Sequence, residues 1–188
     1  MNEELDLIFD DATEHMDKTV DFFAHELKGI RAGKASSSML DSVEVEYYGS
    51  KVPINQAANV NVRDAQTLVV QVWDRSMLGT VEKAIRNANL GFNPVNNGEM
   101  LIINIPPLTE ERRKQLVKKA HEEAEKARVG IRNIRKDAKK HIERLEKDKE
   151  ISEDMAKLAY DKLQDLTDEY IKKIDKRLEA KEKDILTI

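Results

Sequence analysis

Cysteine is absent from the 188 residues, which excludes disulfides and thiolate metal sites and fits a reducing compartment. Aromatic residues make up only 5%, so burial has to come from aliphatic seams, as in long packed helices rather than large globular enzymes. No apolar run approaches the ~18 residues of a membrane span. The first eleven residues carry five acids (Glu3, Glu4, Asp6, Asp10, Asp11) and no basic residue, so neither a signal peptide nor a membrane association is expected. Catalytic constellations are missing too. His15, His25, His121 and His141 have no i+4 partner of metal-ligand type, and His121-Glu122-Glu123 lacks the second histidine of a zinc helix. Gly29 and Gly33 follow no strand and form no phosphate-cradling loop. Asp10-Asp11 and Asp161 with Asp165 read as acids on exposed helix faces, with nothing nearby to raise a pKa. The chain is therefore read as a non-enzyme that needs no metal and no cofactor.

What is present is 40% hydrophobic and 36% charged residues, a helix-rich, folding composition. From Asn2 to about Arg31, apolar residues fall at steps of three or four (Leu5, Phe9, Ala12, Met16, Val20, Phe23, Leu27, Ile30). This predicts one long amphipathic helix, ending near Gly33 as a left-handed cap. Between Ala35 and Pro107 the period shortens. Val43, Val45 and Tyr47 alternate with acids before a Gly49-Ser50 turn, and Val60 with Val62, Thr67 to Trp73, and Met100 to Ile105 read as further strands. Met77 to Asn89 reads as a helix capped by Ser76, and Gly91, Asn93, Pro94 and Gly98 read as a loop. Trp73 and Tyr47 are expected in a small core with Tyr48 at its margin, in preference to stacking on bases.

After Pro106-Pro107 the helical period returns, from Thr109 as cap to about Lys149. A last helix starts at Ser152. The expected architecture is α+β: an elongated antiparallel three-helix bundle (1–31 and 108–188) with a small mixed β/α domain inserted at 32–107. A two-strand hinge at Gly33, Lys34, Ala35 and Asn104, Ile105, Pro106, Pro107 joins the two.

The charge is uneven. Arg112 to Lys140 holds 12 Lys or Arg against 4 acids, a net of +8 in a chain of net −4. Arg128, Arg132, Arg135 and Lys139 follow one stripe, parallel to the apolar stripe Ala127, Ile131, Ile134, Ala138 one residue earlier. Basic runs on helices are commonly solvated faces paired with acids at i±4. Here the acids of the helix are too few to pair, and the row suits a polyphosphate backbone.

Several segments together carry a resemblance: Ile30-Arg31-Ala32-Gly33-Lys34-Ala35, Val45-Glu46-Tyr47-Tyr48-Gly49, Asp74-Arg75-Ser76-Met77, Val81-Glu82-Lys83-Ala84-Ile85, Pro106 through Arg113, Ala127-Arg128-Val129, Arg132-Asn133-Ile134-Arg135 and the Lys147 to Asp154 turn. They resemble the bacterial ribosome recycling factor family over nearly the whole chain. Lys34 stands where that family usually has arginine, and Lys136 where a second arginine is common. The resemblance implies an L-shaped, tRNA-sized cytoplasmic monomer. Its partners would be the large ribosomal subunit, through rRNA, and elongation factor G, which with GTP separates post-termination subunits. It also implies rRNA contacts at Arg128, Arg132 and Arg135, extended by Arg31 and Lys34, with Lys136 and Lys139 on the same helix. Two other classes compete: a helical scaffold or holdase, which requires an exposed apolar stripe, and a generic tRNA-binding protein, which binds free tRNA.

Overall fold

The computed structural model describes residues 2–187; residues 1 and 188, counted in the expected rod, lie outside that range. Its helices are α1 (Glu3–Gly29), α2 (Leu78–Asn87), α3 (Glu110–Lys147) and α4 (Glu153–Leu186). Its strands are β1 (Glu44–Tyr47), β2 (Ser50–Pro53), β3 (Ala58–Asp64), β4 (Thr67–Val72), β5 (Pro94–Asn96) and β6 (Leu101–Asn104). The chain divides into two compact units: residues up to Ala32 with those from Glu110 onward, and Gly33–Thr109.

In the first unit, α1 begins where the Asn2 side chain accepts the Glu4 amide at 2.8 Å and where Glu3, Glu4 and Asp6 face the positive end of the helix. Its seam (Leu5, Phe9, Ala12, Met16, Val20, Phe23, Leu27) is fully buried. Leu5, Phe9 and Ala12 share a core with Ala138 and Ile142 of α3 and with Ala156, Ala159 and Leu163 of α4. The start of α1 therefore lies at the end of α3 and the start of α4, so α1 runs antiparallel to α3. The α3–α4 turn closes through Glu150 N–H to Leu145 C=O at 2.9 Å, and the Ser152 side chain caps α4 by accepting from Met155 N–H. Small residues bring the rods close: a Cβ on Gly130 would lie 3.2 Å from Thr19 Cγ2. The seams are consumed internally, and the exposed large apolar residues of this unit among the described residues, Leu7, Phe22, Val129, Leu158 and Leu186, are scattered over three helices rather than gathered in the stripe that a helical scaffold requires.

Gly33 does not cap α1. The helix ends at Gly29, and Ile30, 2% exposed, leaves it in an extended conformation (φ −86°) with its N–H donating to Leu27 C=O. Gly33 is left-handed (φ +73°) further on, where a Cβ would meet Leu108 Cγ at 2.4 Å.

The second unit is built on a four-stranded antiparallel sheet of order β3-β4-β6-β5, beside the β1–β2 hairpin. Leu68 and Val70 of β4, Leu101 and Ile103 of β6, Val45 of β1, and Val81 and Ile85 of α2 share its core. Three expectations need correction. The segment placed in a loop contains β5, whose first residue, Pro94, is tolerated because β5 is an edge strand paired only with β6. Ser76 is not a cap: it lies inside a short 3-10 turn whose Asp74 side chain accepts the Ser76 amide at 3.0 Å. Trp73 is not a core residue and stays 63% exposed, because Leu68, Val70 and Val72 set the inward phase of β4 and position 73 falls on the other.

Candidate nucleic-acid interface

α3 carries the basic run, and the bundle sorts its cations by the direction they face. Positions 128, 135 and 139 border α4. Arg128, only 20% exposed, donates from Nε and Nη2 to Asp175 Oδ1 at 3.0 and 2.7 Å and from Nη1 to Glu125 Oε2 at 3.2 Å. Burial lowers its pKa, but the two carboxylates outweigh that and hold the guanidinium charged. Arg135 donates from Nη1 to Gln164 Oε1 at 2.8 Å, while its Nε is buried with no partner. Lys139 lies 3.7 Å from Glu143 and 5.9 Å from the Tyr160 ring. The expectation of an unpaired row is thus corrected. Acids along α3 are few, but Asp175 comes from α4 and Glu125 serves two arginines, which hold its own pKa below the usual carboxylate range.

The outward face is different. Arg132, Lys136 and Lys140 are exposed at i, i+4 and i+8, spanning about 12 Å of helix axis at about 1.5 Å per residue. Arg132 shares Glu125 at 3.2 Å with its side chain half exposed. Lys136 and Lys140 make no ion pair among the described residues. Asn133, between Arg132 and Lys136, is exposed too, and Val129, one turn before Arg132, is 45% exposed. Lys140, not among the expected contacts, shares this exposed face, and the sequence carries the signal: in a three-helix bundle each helix buries both flanks of its seam, so the solvent face is the one opposite Ile131, Ala138 and Ile142. Arg31 is exposed in the first unit; Lys34, partly buried, belongs to the second.

Of the residues expected to form a hinge, three are pinned inside the second unit. Ala35 N–H donates to Ala65 C=O and Ile105 N–H to Gln66 C=O, both at 2.7 Å, and Asn104 pairs with Thr67 in the sheet. Gly33, Lys34, Pro106 and Pro107 lie outside regular elements. Among the described residues no group of three or more His, Cys, Asp or Glu could hold a metal ion, and no helix is long and apolar enough to cross a membrane.

Comparison with known proteins matches residues 23–186 to the ribosome recycling factor family. The chain belongs to the ribosome recycling factor family. Relatives of that name include one from Symbiobacterium thermophilum, 50% identical over 96% of this chain and 98% of its own, and one from Christiangramia forsetii, 52% identical over 99% and 100%. A solution structure of a ribosome recycling factor aligns with a TM-score of 0.73 at 44% identity, covering 100% of both chains. A Thermus thermophilus ribosome recycling factor, described with Escherichia coli elongation factor G bound to the E. coli post-termination complex, aligns with a TM-score of 0.62 at 47% identity, over 97% of this chain and 99% of that one. As a ribosome recycling factor the chain is a translation factor.

Proposed function

We propose that this protein, with elongation factor G and GTP, splits post-termination ribosomes into subunits and frees them from mRNA, acting as a cytoplasmic monomer without cofactor or catalysis of its own. In this reading α3 lies on large-subunit rRNA through the open row Arg132, Lys136 and Lys140. Arg128 and Lys139 stiffen the side of the rod toward α4, Arg135 adds a contact at the edge of that row, and Arg31 and Lys34 add contacts where their segments leave regular structure. Gly33 and Pro106-Pro107 give the connection between the units its freedom to bend. One observation carries the reading: three cations on one exposed face of a single helix, in a chain that is acidic elsewhere, so that one edge alone attracts polyphosphate. Arg135 adds support. A buried guanidinium N–H without a partner costs about 1–3 kcal/mol, and an aliphatic side chain would fill that position without the cost. The test is polysome breakdown with purified elongation factor G and GTP. Free subunits should accumulate only when the protein, the factor and GTP are all present; polysomes that persist in the complete mixture would overturn the proposal.

A further inference from the structure

Within the first unit, α1 and α3 leave an open groove of about 610 Å³ on the side away from α4. Its floor is aliphatic, from Ile8 and Ala12 of α1 and Ile134 and Ala138 of α3. Two imidazoles, His15 and His141, stand at its walls, and Lys140 and Arg144 at its rim. Asp11 and Asp137 also line it. His15 is oriented: its Nδ1 lies 2.8 Å from the Asp11 carbonyl oxygen. A carbonyl can only accept, so Nδ1, which also lies 3.4 Å from Asp11 Oδ1, carries the hydrogen, and in the neutral ring Nε2 is left as an acceptor. Lys140 belongs both to this rim and to the open row of α3, so the groove continues the cationic face without a break.

We propose that the groove receives one unpaired, amino-bearing nucleobase of the RNA lying on the ridge. The inference rests on the ridge reading given above. Each component matches a part of a nucleotide. A planar base needs an apolar floor and a flat side chain to replace the stacking it has lost; Ala138, Ile134 and the His141 imidazole supply these. Lys140 and Arg144 are the cations that meet the phosphate of that nucleotide. The base edge meets acceptors, namely the Asp137 carboxylate and His15 Nε2, so exocyclic amino groups of adenine, cytosine or guanine are favoured over the carbonyl edge of uracil. A duplex keeps its bases paired and cannot offer this edge. An acidic peptide fits worse, since Asp11 and Asp137 would repel it.

The test uses intact protein and purified large ribosomal subunits at pH 8, above the range in which histidine ordinarily titrates, over a series of salt concentrations. His141→Ala and His15→Ala should each weaken binding about tenfold at every salt concentration, with the log-log salt slope unchanged, because neither stacking nor a hydrogen bond to a base edge releases counterions. Lys136→Ala should flatten the slope instead. A loss for Lys136→Ala with wild-type affinity for both histidine variants would overturn the groove proposal and leave the ridge intact. Wild-type behaviour of all three would overturn both. In a competition arm, an adenosine octanucleotide should displace the protein better than a uridine octanucleotide, and Asp137→Asn should narrow that gap; equal competition removes the base from the groove. Subunit affinity that stays intact while factor-dependent splitting fails in the histidine variants would assign the groove to a protein partner and overturn the proposal.

Discussion

Lys136→Ala and Arg128→Ala remove one charge each from the same helix, eight residues apart, and should have opposite signatures. Lys136 is exposed and makes no ion pair among the described residues, so its loss should be felt by RNA and not by the fold. The three open contacts of α3, at about 0.7 released counterions each, should contribute about −2.1 to the log-log salt slope of large-subunit binding, so that a fourfold rise in salt weakens their share roughly 18-fold. With two contacts that contribution becomes about −1.4 and the same rise costs roughly sevenfold. At about 0.15 M salt the missing contact alone lowers affinity about fourfold. Arg128, bridged to Asp175 and Glu125 at 20% exposure, should leave that contribution near −2.1. Its loss removes a part-buried pair between α3 and α4, worth about 1 kcal/mol after solvent screening, and should lower the melting temperature by about 2–4 °C. Filter binding across salt and thermal melts of both variants decide the matter. A flattened slope for Arg128→Ala with an unchanged one for Lys136→Ala would refute the reasoning.

Other substitutions probe neighbouring claims. Arg135→Met keeps the aliphatic contact toward α4 and removes the buried, unpartnered Nε–H; melting should stay at or above wild type while large-subunit affinity falls, and a lower melting temperature with full affinity would contradict it. Gly33→Ala combines a left-handed φ with a Cβ 2.4 Å from Leu108 Cγ and should destabilise the smaller unit by about 1–3 kcal/mol; adding Leu108→Ala should relieve the clash but not the backbone penalty, which amide hydrogen exchange in β4 and β6 can separate. Tyr170 is buried and its hydroxyl donates to Asp17; burial, then the Asp17 carboxylate, push its pKa up. A folded-state pKa above the unfolded value contributes stability that is fully present below about pH 10 and lost as pH rises beyond it. Chemical denaturation should therefore show a falling limb above about pH 10 that Tyr170→Phe flattens; an identical limb in both proteins would exclude this residue as its source.

The long helices could be read from the chain because each buries a stripe whose period is fixed by backbone geometry: Leu5 to Leu27 and Leu116 to Ile142 repeat at steps of three and four and are buried almost without exception. Strands β4 and β6 were equally legible as short apolar runs. β5 was not, since three residues opening on a proline acquire their identity from the partner strand β6 and not from their own pattern. The outward phase of Trp73 was available from Leu68, Val70 and Val72, but a lone tryptophan draws a core assignment on size alone. The basic run showed where cations are numerous without showing which are free. Asp175 is 47 residues from Arg128 in the chain and becomes its partner only when α4 folds against α3.

That sorting has a consequence at Glu125, which accepts from Arg132 at 3.2 Å and from Arg128 at the same distance. It is the one acid on α3 that competes with RNA for a member of the open row. Arg132 has to leave it to meet a phosphate, so part of the attraction is offset before binding starts, and departure after the subunits separate is easier than a bare row would permit. Glu125→Gln should tighten large-subunit binding severalfold, most strongly at low salt, with little change in melting because the pair is solvent-exposed. In a multiple-turnover polysome assay with limiting protein, the tighter variant should release fewer subunits per molecule than wild type while matching it in a single round. If Glu125→Gln binds no more tightly, Arg132 is not held back by this carboxylate; if it binds more tightly and turns over as fast, release is limited by something other than the grip of α3.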